Sequence, residues 1–467
     1  MSTGVVGSQR SELSVLSVKR RIHVVGVGGA GMSAIASVLA AMGHQVSGSD
    51  LKASSASQRL VAAGVSVFVG HDAAHLGDAE LITMSTAIPE SNPEVAEARR
   101  RGLSVLSRAQ MLAEICASRR CVAVSGTHGK TTTTSMLALI LVEAGLRPSF
   151  VIGGDVNEIG TNAVWDSGQW LVVEADESDG TLNFLDPEVA VVTNVEPDHL
   201  DRYGTFEELV AAFDEFCTGR SGGVVAGSDD VVALELGRRH GADLVGCSQA
   251  ATWRIEKQIV GAAGVSFDLR HGEEVLGRLA LPVIGANIAN NAAVAAVTAM
   301  KVGAPFEAVT RALARFAGVA RRFELRGETR GVRFVDDYAH LPTEVSSVIK
   351  AARALEMQRL VVVFQPHRYS RIAALGAQFA DAFSGADLVL VTDVFPAGEK
   401  PLPGVTGRLV ADAAARANPA LDVAYVQGRT ELHEHLARAL RAGDVCLTLG
   451  AGDLTTLPDE MQTDPAW

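Results

Sequence analysis

Lys130 follows Gly126-Thr127-His128-Gly129 and precedes four consecutive threonines. These residue types, in this order, describe phosphate chemistry. A short glycine-bearing loop between a strand and a helix aims backbone N–H groups at phosphate oxygens. A lysine at its end neutralises the β- and γ-phosphates, and the hydroxyl of Thr131 is placed to reach Mg²⁺. Val124 stands where the longer G-x-x-x-x-G-K-T pattern has its first glycine, so the loop is a shortened relative of that pattern. Packing alone gives little reason for Gly-Lys-Thr at such a junction, and ATP is the expected ligand.

Two further strand ends carry ionisable groups. The apolar run Trp170–Val173 leads into Glu174-Ala175-Asp176-Glu177-Ser178-Asp179-Gly180, and Val189–Thr193 leads into Asn194-Val195-Glu196-Pro197-Asp198-His199. Carboxyl ends of neighbouring parallel strands share one edge of a sheet, where hard carboxylate oxygens bind Mg²⁺ beside phosphate. Glu174 is the expected metal ligand. His199 reads as a ligand or as a satisfied loop histidine, and Asp179 as a cap or solvated turn.

A second glycine pattern, Gly26-x-Gly28-x-x-Gly31, follows the strand at Arg21–Val25 and opens a helix. Asp50 ends the next strand, 24 residues after Gly26. Tight turn, close backbone approach and a downstream acid are the layout of a nucleotide fold, with a helix N-terminus facing a pyrophosphate. The pattern does not separate a dinucleotide from a UDP-sugar. Ser85-Thr86-Ala87-Ile88-Pro89, with Asn92-Pro93-Glu94 behind it, reads as a ligand loop or as turn and cap chemistry.

Positioning these groups requires sheets, and the chain reads as three βα series. The first runs from Arg21 to about Leu112. A polar, basic stretch at Ala113–Arg120 reads as a linker. The second series starts at Cys121 and changes to alternating strands around Thr252–Pro282; an Ala-rich helix follows at Ile288–Met300. The third starts near Arg322, with strands at Val332–Val335, Leu360–Phe364, Leu388–Val391 and Val445–Leu449. The rhythm predicts parallel sheets in all three. A chain of 467 residues exceeds one hydrophobic core. With 46 glycines and 5% aromatics it suits α/β domains.

The formal charge of 41 − 54 = −13 disfavours nucleic acid and anionic lipid as general partners. Five cysteines without a C-x-x-C pair point to a reducing compartment and away from zinc. Met1–Val18 has no apolar leader core and no apolar run is long enough to span a bilayer, so a cytoplasmic location without membrane insertion is expected.

The blocks Gly26–Met32, Gly126–Thr133, Glu174–Gly180, Asp198–Gly204, Arg321–Glu324, Asp336–Glu344, Gln365–Arg371 and Gly450–Asp453 together resemble the Mur ligases of bacterial peptidoglycan synthesis over nearly the full length. The resemblance implies an α/β fold of three domains: a Rossmann-like UDP-sugar domain at 1–115, a P-loop-type ATPase domain at 116–321, and a Rossmann-like amino-acid domain at 322–467. It implies ATP-dependent ligation of L-alanine to UDP-N-acetylmuramate, or, as the alternative, of a recycled murein peptide, by a monomer or weak dimer. Mg²⁺ is the implied cofactor, with Mn²⁺ as a substitute.

The same resemblance assigns residues. Gly28, Gly29, Ala30, Gly31, Met32, Asp50, Ser85 and Thr86 would face the UDP-sugar. Gly126, Thr127, His128, Gly129, Lys130, Thr131 and Thr132 would face ATP phosphates, with Asn291 at adenine, Asp337 at ribose and Arg322 at the phosphates. Thr131, Glu174 and His199 would bind the metal. Tyr338, His340, His367, Arg368 and Arg371 would line the amino-acid and acyl-phosphate site. Lys130, His199, Arg322 and His340 would be catalytic, and His199, His340 or His367 would take the amine proton. No lysine occurs between Lys130 and Lys257, whereas sister ligases adding later amino acids use a carbamylated lysine there. The chain departs from the family's usual residues at Leu341, Ile372 and Asn287, where His, Thr and His are usual.

Overall fold

The computed structural model describes residues 14–156, 159–261, 263–285, 287–353 and 357–464, so most of the segment read for a leader lies outside the described residues. Five strands, β1 (Arg21–Val25), β2 (Gln45–Asp50), β3 (Ser66–Val69), β4 (Leu81–Met84) and β5 (Ser104–Ser107), form a parallel sheet in the order β3-β2-β1-β4-β5. The chain reverses its direction of travel at β1. The turn after β1 therefore opens at the crevice where doubly wound sheets bind ligands.

The second sheet has ten strands: β6 (Arg120–Ser125), β7 (Ser149–Val156), β8 (Thr161–Val164), β9 (Trp170–Glu174), β10 (Val189–Val192), β11 (Val224–Gly227), β12 (Asp243–Gly246), β13 (Trp253–Gly261), β14 (Gly264–His271) and β15 (Glu274–Leu281). Their order is β15-β14-β13-β12-β11-β10-β6-β9-β7-β8. Here β6 is flanked by β9 and β10, and the register sets Val124 against Glu174 and Ser125 against Val192. Three polar strand ends thus meet at one level of the sheet. The third sheet holds β16 (Glu324–Thr329), β17 (Val332–Asp337), β18 (Arg359–Phe364), β19 (Leu388–Val391), β20 (Asp422–Tyr425) and β21 (Asp444–Leu449) in the order β16-β17-β21-β18-β19-β20. Asp337 and Phe364 both lie level with Leu449 at its carboxyl edge.

Two expectations are corrected. The second and third sheets are mixed: β7–β8, β13–β14–β15 and β16–β17 pair antiparallel. Short connections explain this, because a parallel pair needs a crossover and turns such as those at Gly272 and Gly331 leave no room for one. Half of the supposed linker is helix and its last residue opens β6. Arg108–Cys116 is helical, opened by a capping box in which Ser107 and Gln110 exchange hydrogen bonds, and Met111, Leu112 and Ile115 are buried along it. The connection shrinks to 117–119.

The strands β6, β10, β18, β19 and β21 are almost entirely buried, as β-branched runs covered on both faces should be. The helix Lys130–Glu143 is buried around its circumference. Its polar Thr134 and Ser135 hydroxyls donate to the carbonyls of Lys130 and Thr131, which satisfies them inside the core. One continuous apolar cluster joins Val24, Ile35 and Leu39 of the first domain to Val173, Phe213 and Phe216 of the second. The third domain has its own clusters on the two faces of its sheet. Among the described residues, no helix is long and apolar enough to cross a membrane.

Candidate active site

The loop at Gly126–Gly129 leaves β6 at the crossover point of the central sheet. Gly126 has φ +133° and Gly129 φ +81°; a Cβ at the first would lie 2.1 Å from Thr193 Oγ1, and at the second 2.4 Å from Asn291 Oδ1. Both glycines are therefore required by backbone conformation and by close approach. Asn194 fixes the loop from the next strand end: its Oδ1 accepts from His128 N at 2.8 Å and its Nδ2 donates to His128 O at 3.0 Å.

Lys130 Nζ donates to both oxygens of Glu177, at 2.9 and 3.0 Å, and to the carbonyl of Gly126 at 2.8 Å. Burial opposes its charge, but Glu177, Asp176 and Glu174 together hold its pKa above the ordinary lysine value. Burial pushes Glu177 up to about 7 against the pull of Lys130. The lysine is thus folded back onto its own loop by a carboxylate that sequence reasoning placed in the acidic cluster without a role.

Glu174 is a fitting hard donor. Burial raises its pKa against the opposing pull of Gly153 N–H, Lys130 and the Thr131 hydroxyl nearby, and its Oε1 is buried with no hydrogen-bond partner. An orphaned carboxylate oxygen beside a P-loop threonine suits Mg²⁺. Among the described residues no three His, Cys, Asp or Glu side chains converge into a cage. A cation here would take much of its shell from phosphate and water, as Mg²⁺ does. His199, at φ +54°, is paired with Asp198 at 3.1 Å, and burial lowers its pKa.

A cleft opens beside the loop, between the second and third domains. His128, Gly129, Thr132, Asn287 and Asn291 line it from one side; Arg322, Asp337 and Glu344 line it from the other. Asp337 accepts from Phe323 N and Ala339 N, both at 2.8 Å, and burial raises its pKa to about 6 despite Arg322. The guanidinium of Arg322 lies 5.1 Å from the Tyr338 ring centre. Asn287, one of the departures, therefore faces the same cleft.

The amino-acid residues named from sequence gather at the seam. His340 and His367 have ring centres 5.6 Å apart. His340 Nδ1 donates to Tyr338 O at 3.0 Å, which leaves Nε2 as its acceptor nitrogen, and burial lowers its pKa to about 4. Arg371 donates to His367 Nδ1 at 2.9 Å and to Asp198 at 3.2 Å across the seam. Burial lowers His367 to about 3, so both imidazoles are neutral at neutral pH. A small recess is lined by Asp198, His199, Leu200, Arg368, Arg371 and Leu375. Ile372 packs in the third domain's core, and Leu341 is buried ahead of the helix Pro342–Ala352. Both substitutions act through packing, not as groups presented to a ligand.

In the first domain Asp50 Oδ2 accepts from Gly28 N at 2.9 Å, so its carboxylate already clasps the turn it was expected to complement. Ser85 Oγ accepts from Ala87 N at 3.3 Å, Thr86 is exposed, and Met32 is buried in the core. Arg108 was not singled out from sequence. It lies against Gly31 and donates to Asp179 at 2.6 Å, linking the first glycine turn to the acidic loop of the second domain. Asn162 Nδ2 also reaches Ala30 O at 3.3 Å.

The chain is similar to known proteins over nearly its full length. Residues 21–120 match the model of the Mur ligase family catalytic domain, 124–299 the Mur ligase middle domain, and 321–452 the Mur ligase glutamate ligase domain. The UDP-N-acetylmuramate–L-alanine ligase of Geobacter sp. (strain M21) is 44% identical over 452 residues, covering 94% of this chain and 96% of that protein. That of Rubrobacter xylanophilus is 45% identical, covering 94% and 99%. Among solved structures, the UDP-N-acetylmuramate-alanine ligase of Thermotoga maritima superposes with TM-score 0.80 at 28% identity, covering 95% of this chain and 98% of that one. A murein peptide ligase of Psychrobacter arcticus shares the fold, with TM-score 0.70 at 24% identity and coverage of 95% and 98%.

Proposed function

This chain belongs to the Mur ligase family, and we propose that within it the protein joins L-alanine to the carboxylate of UDP-N-acetylmuramate, converting ATP to ADP and phosphate. The cleft carries this reading: His128, Gly129 and Asn291 from one domain face Arg322 and Asp337 from another across a space beside the loop that leads into Lys130. We divide the chain at 115/116 and 321/322, with UDP-sugar, ATP and amino acid assigned to the three parts in turn.

A carboxylate resists amines because it is anionic and has a poor leaving group. In the first step a carboxylate oxygen attacks the γ-phosphorus and the bond to the β–γ bridging oxygen breaks, so that ADP leaves. Lys130 exchanges Glu177 for phosphate oxygens, and Arg322 adds a second fixed cation to the transferring group. Thr131, Glu174 and His199 would hold Mg²⁺, which would supply charge neutralisation and orientation for the phosphates when bound.

In the second step the free amine attacks the acyl carbon and phosphate departs. The ammonium must first lose a proton. His340 is neutral, with Nε2 free to accept, which makes it our choice over His367, whose Nδ1 is occupied by Arg371. Arg368 and Arg371 would face the amino-acid carboxylate. Water is excluded by seating the third domain on the loop.

The test is phosphate release together with amide formation. Both should require ATP, Mg²⁺, UDP-N-acetylmuramate and L-alanine at once. Release without the sugar nucleotide sinks the reading, and preference for a free tripeptide over L-alanine would move it to the peptide-recycling reaction.

A further inference from the structure

One carboxylate at the seam between the second and third domains serves two neighbours. Glu344 stands in the first turn of the helix Pro342–Ala352. Its Oε2 accepts from His340 N at 2.9 Å and from Leu341 N at 3.1 Å, which closes the turn carrying Tyr338 and His340. Its Oε1 lies 3.1 Å from Nδ1 of His128, a residue of the phosphate loop in the other domain. The other ring nitrogen of His128 lies 3.3 Å from Glu196 Oε2, and Glu196 Oε2 also accepts from Thr343 Oγ1 at 2.9 Å.

His128 has no freedom to wander from this place. Its N–H and its carbonyl are both bonded by Asn194, and Thr193 Oγ1 donates to the same carbonyl at 2.6 Å. Two carboxylates lining a cleft meant for a polyphosphate would repel the ligand unless a cation sat between them. The imidazole, between Glu344 and Glu196, is the group in that position. Burial alone would neutralise it, yet the two carboxylates raise its pKa to about 10 and keep it charged.

We propose that His128 is a positioning residue that couples the phosphate loop to the amino-acid turn through Glu344. This rests on the ligase reading above. Nδ1 holds one oxygen of Glu344, and the other oxygen shapes the 338–341 turn, so the amine side of the site is built only when the third domain is seated on the loop. Without the charged imidazole ATP binds less tightly, but at saturating ATP the loop still presents backbone N–H groups and Lys130, and the acyl phosphate still forms. The amine then meets it less well, and water attacks the acyl carbon instead. That route regenerates the carboxylate and releases phosphate and a proton, so ATP is hydrolysed without an amide.

The side-chain amides test this with the full chain. Asn at position 128 sets an N–H where Nδ1 stands and keeps the bond to Glu344. Gln sets its amide nearer the position of Nε2 and keeps only the Glu196 contact. For the wild type, one phosphate should appear per amide; absence of amide from the wild type would overturn the ligase reading itself and not the coupling. His128→Gln should raise KM for L-alanine about ten- to hundredfold, the scale of a lost hydrogen bond to a charged group, and push the phosphate-to-amide ratio above one. His128→Asn should hold the ratio near one. Glu344→Gln combined with His128→Gln should be no worse than His128→Gln alone, because both cut the same link. A ratio of one in His128→Gln, a reversed order of Asn and Gln, or additive losses in the double variant would each overturn the proposal. Thr343→Val removes a hydroxyl that bonds Glu196 and lies 3.4 Å from Nε2 of His128, and it leaves Nδ1 on Glu344; it should keep the ratio near one, and uncoupling by it would overturn the route through Glu344.

Discussion

Glu177 and Lys130 illustrate how much a residue type conveys and what only coordinates add. Lysine after a glycine loop announces phosphate from sequence alone, but its pairing with Glu177 spans 47 residues and leaves no local signature. The same holds for Arg108 with Asp179 and for His128 with Glu344, which are 71 and 216 residues apart. Removing the cation tests the assignment. Lys130→Ala should cut turnover by at least about a hundredfold, the loss typical of a fixed charge at a developing anion. The fold should survive, because Glu177, already near 7, takes up a proton once its partner is gone. Turnover and circular dichroism measured on one preparation check this, and near-normal turnover refutes the role. Glu94 offers a stability prediction. It is fully buried and bonded by Ser49 at 2.6 Å, His75 at 3.0 Å and His71 at 3.1 Å, with His23 at 3.8 Å. Burial would raise its pKa, but these neighbours depress it to about 2 from the ordinary 4.5. A depressed folded value means the contribution is present above pH 4.5 and is lost as pH falls toward 2, amounting to about 3 kcal/mol. Urea midpoints across that window should fall steeply for the wild type and more gently for Glu94→Gln; equal slopes would count against the ion cluster.

At the scale of elements, the backbone of the phosphate loop is as decisive as its lysine. Gly129→Ala would set a methyl 2.4 Å from Asn291 Oδ1 at φ +81°, and Gly272→Ala would meet no atom within 4 Å at φ +56°. The first should lose about 2–4 kcal/mol and weaken ATP binding at least about tenfold; the second should cost only about 1 kcal/mol and leave nucleotide affinity unchanged. Thermal melts with and without ATP distinguish them, and an equal response of the two variants would deny the loop its special geometry. The elements themselves were unevenly legible. Runs such as Cys121–Val124 and Val189–Val192 are buried on both faces, so unbroken hydrophobicity marks them as parallel strands. The strand Ser104–Ser107 is half-buried and carries serine at both ends, and β7 and β8 form a small antiparallel edge, so neither has a clear period. The Ala113–Arg120 misreading has a similar cause: the basic residues that suggested a linker cluster at its end, while Ile115 and Cys116 still face the core.

For the whole molecule, the two seams differ in kind, and that difference predicts that the third domain opens from the other two. Between the first and second domains the apolar core is continuous, from Ile35 and Leu39 through to Val173 and Phe213, with Arg108–Asp179 and Asn162–Ala30 at its edge. Opening it would expose that surface at roughly 25 cal/mol per Å². Between the second and third, the contacts named above are polar: His128–Glu344, Thr343–Glu196 and Arg371–Asp198. Such contacts exchange for water at small net cost and weaken as salt screens them. The connecting segment carries Arg321 at φ +61° and Phe323 at φ +50°, non-glycine residues in the left-handed region, as hinges that absorb large backbone changes can. The cleft lies in this polar seam, with one wall from each domain. Nucleotide should therefore clamp the third domain by bridging the walls. Hydrogen exchange on the full chain should show amides of 338–344 protected by ATP and Mg²⁺, and protected less in 1 M salt without nucleotide. Amides of the helix Ala30–Ala41, in the apolar seam, should exchange alike in every condition. Equal changes at both seams would mean that the three domains open together and that the polar interface is not the hinge.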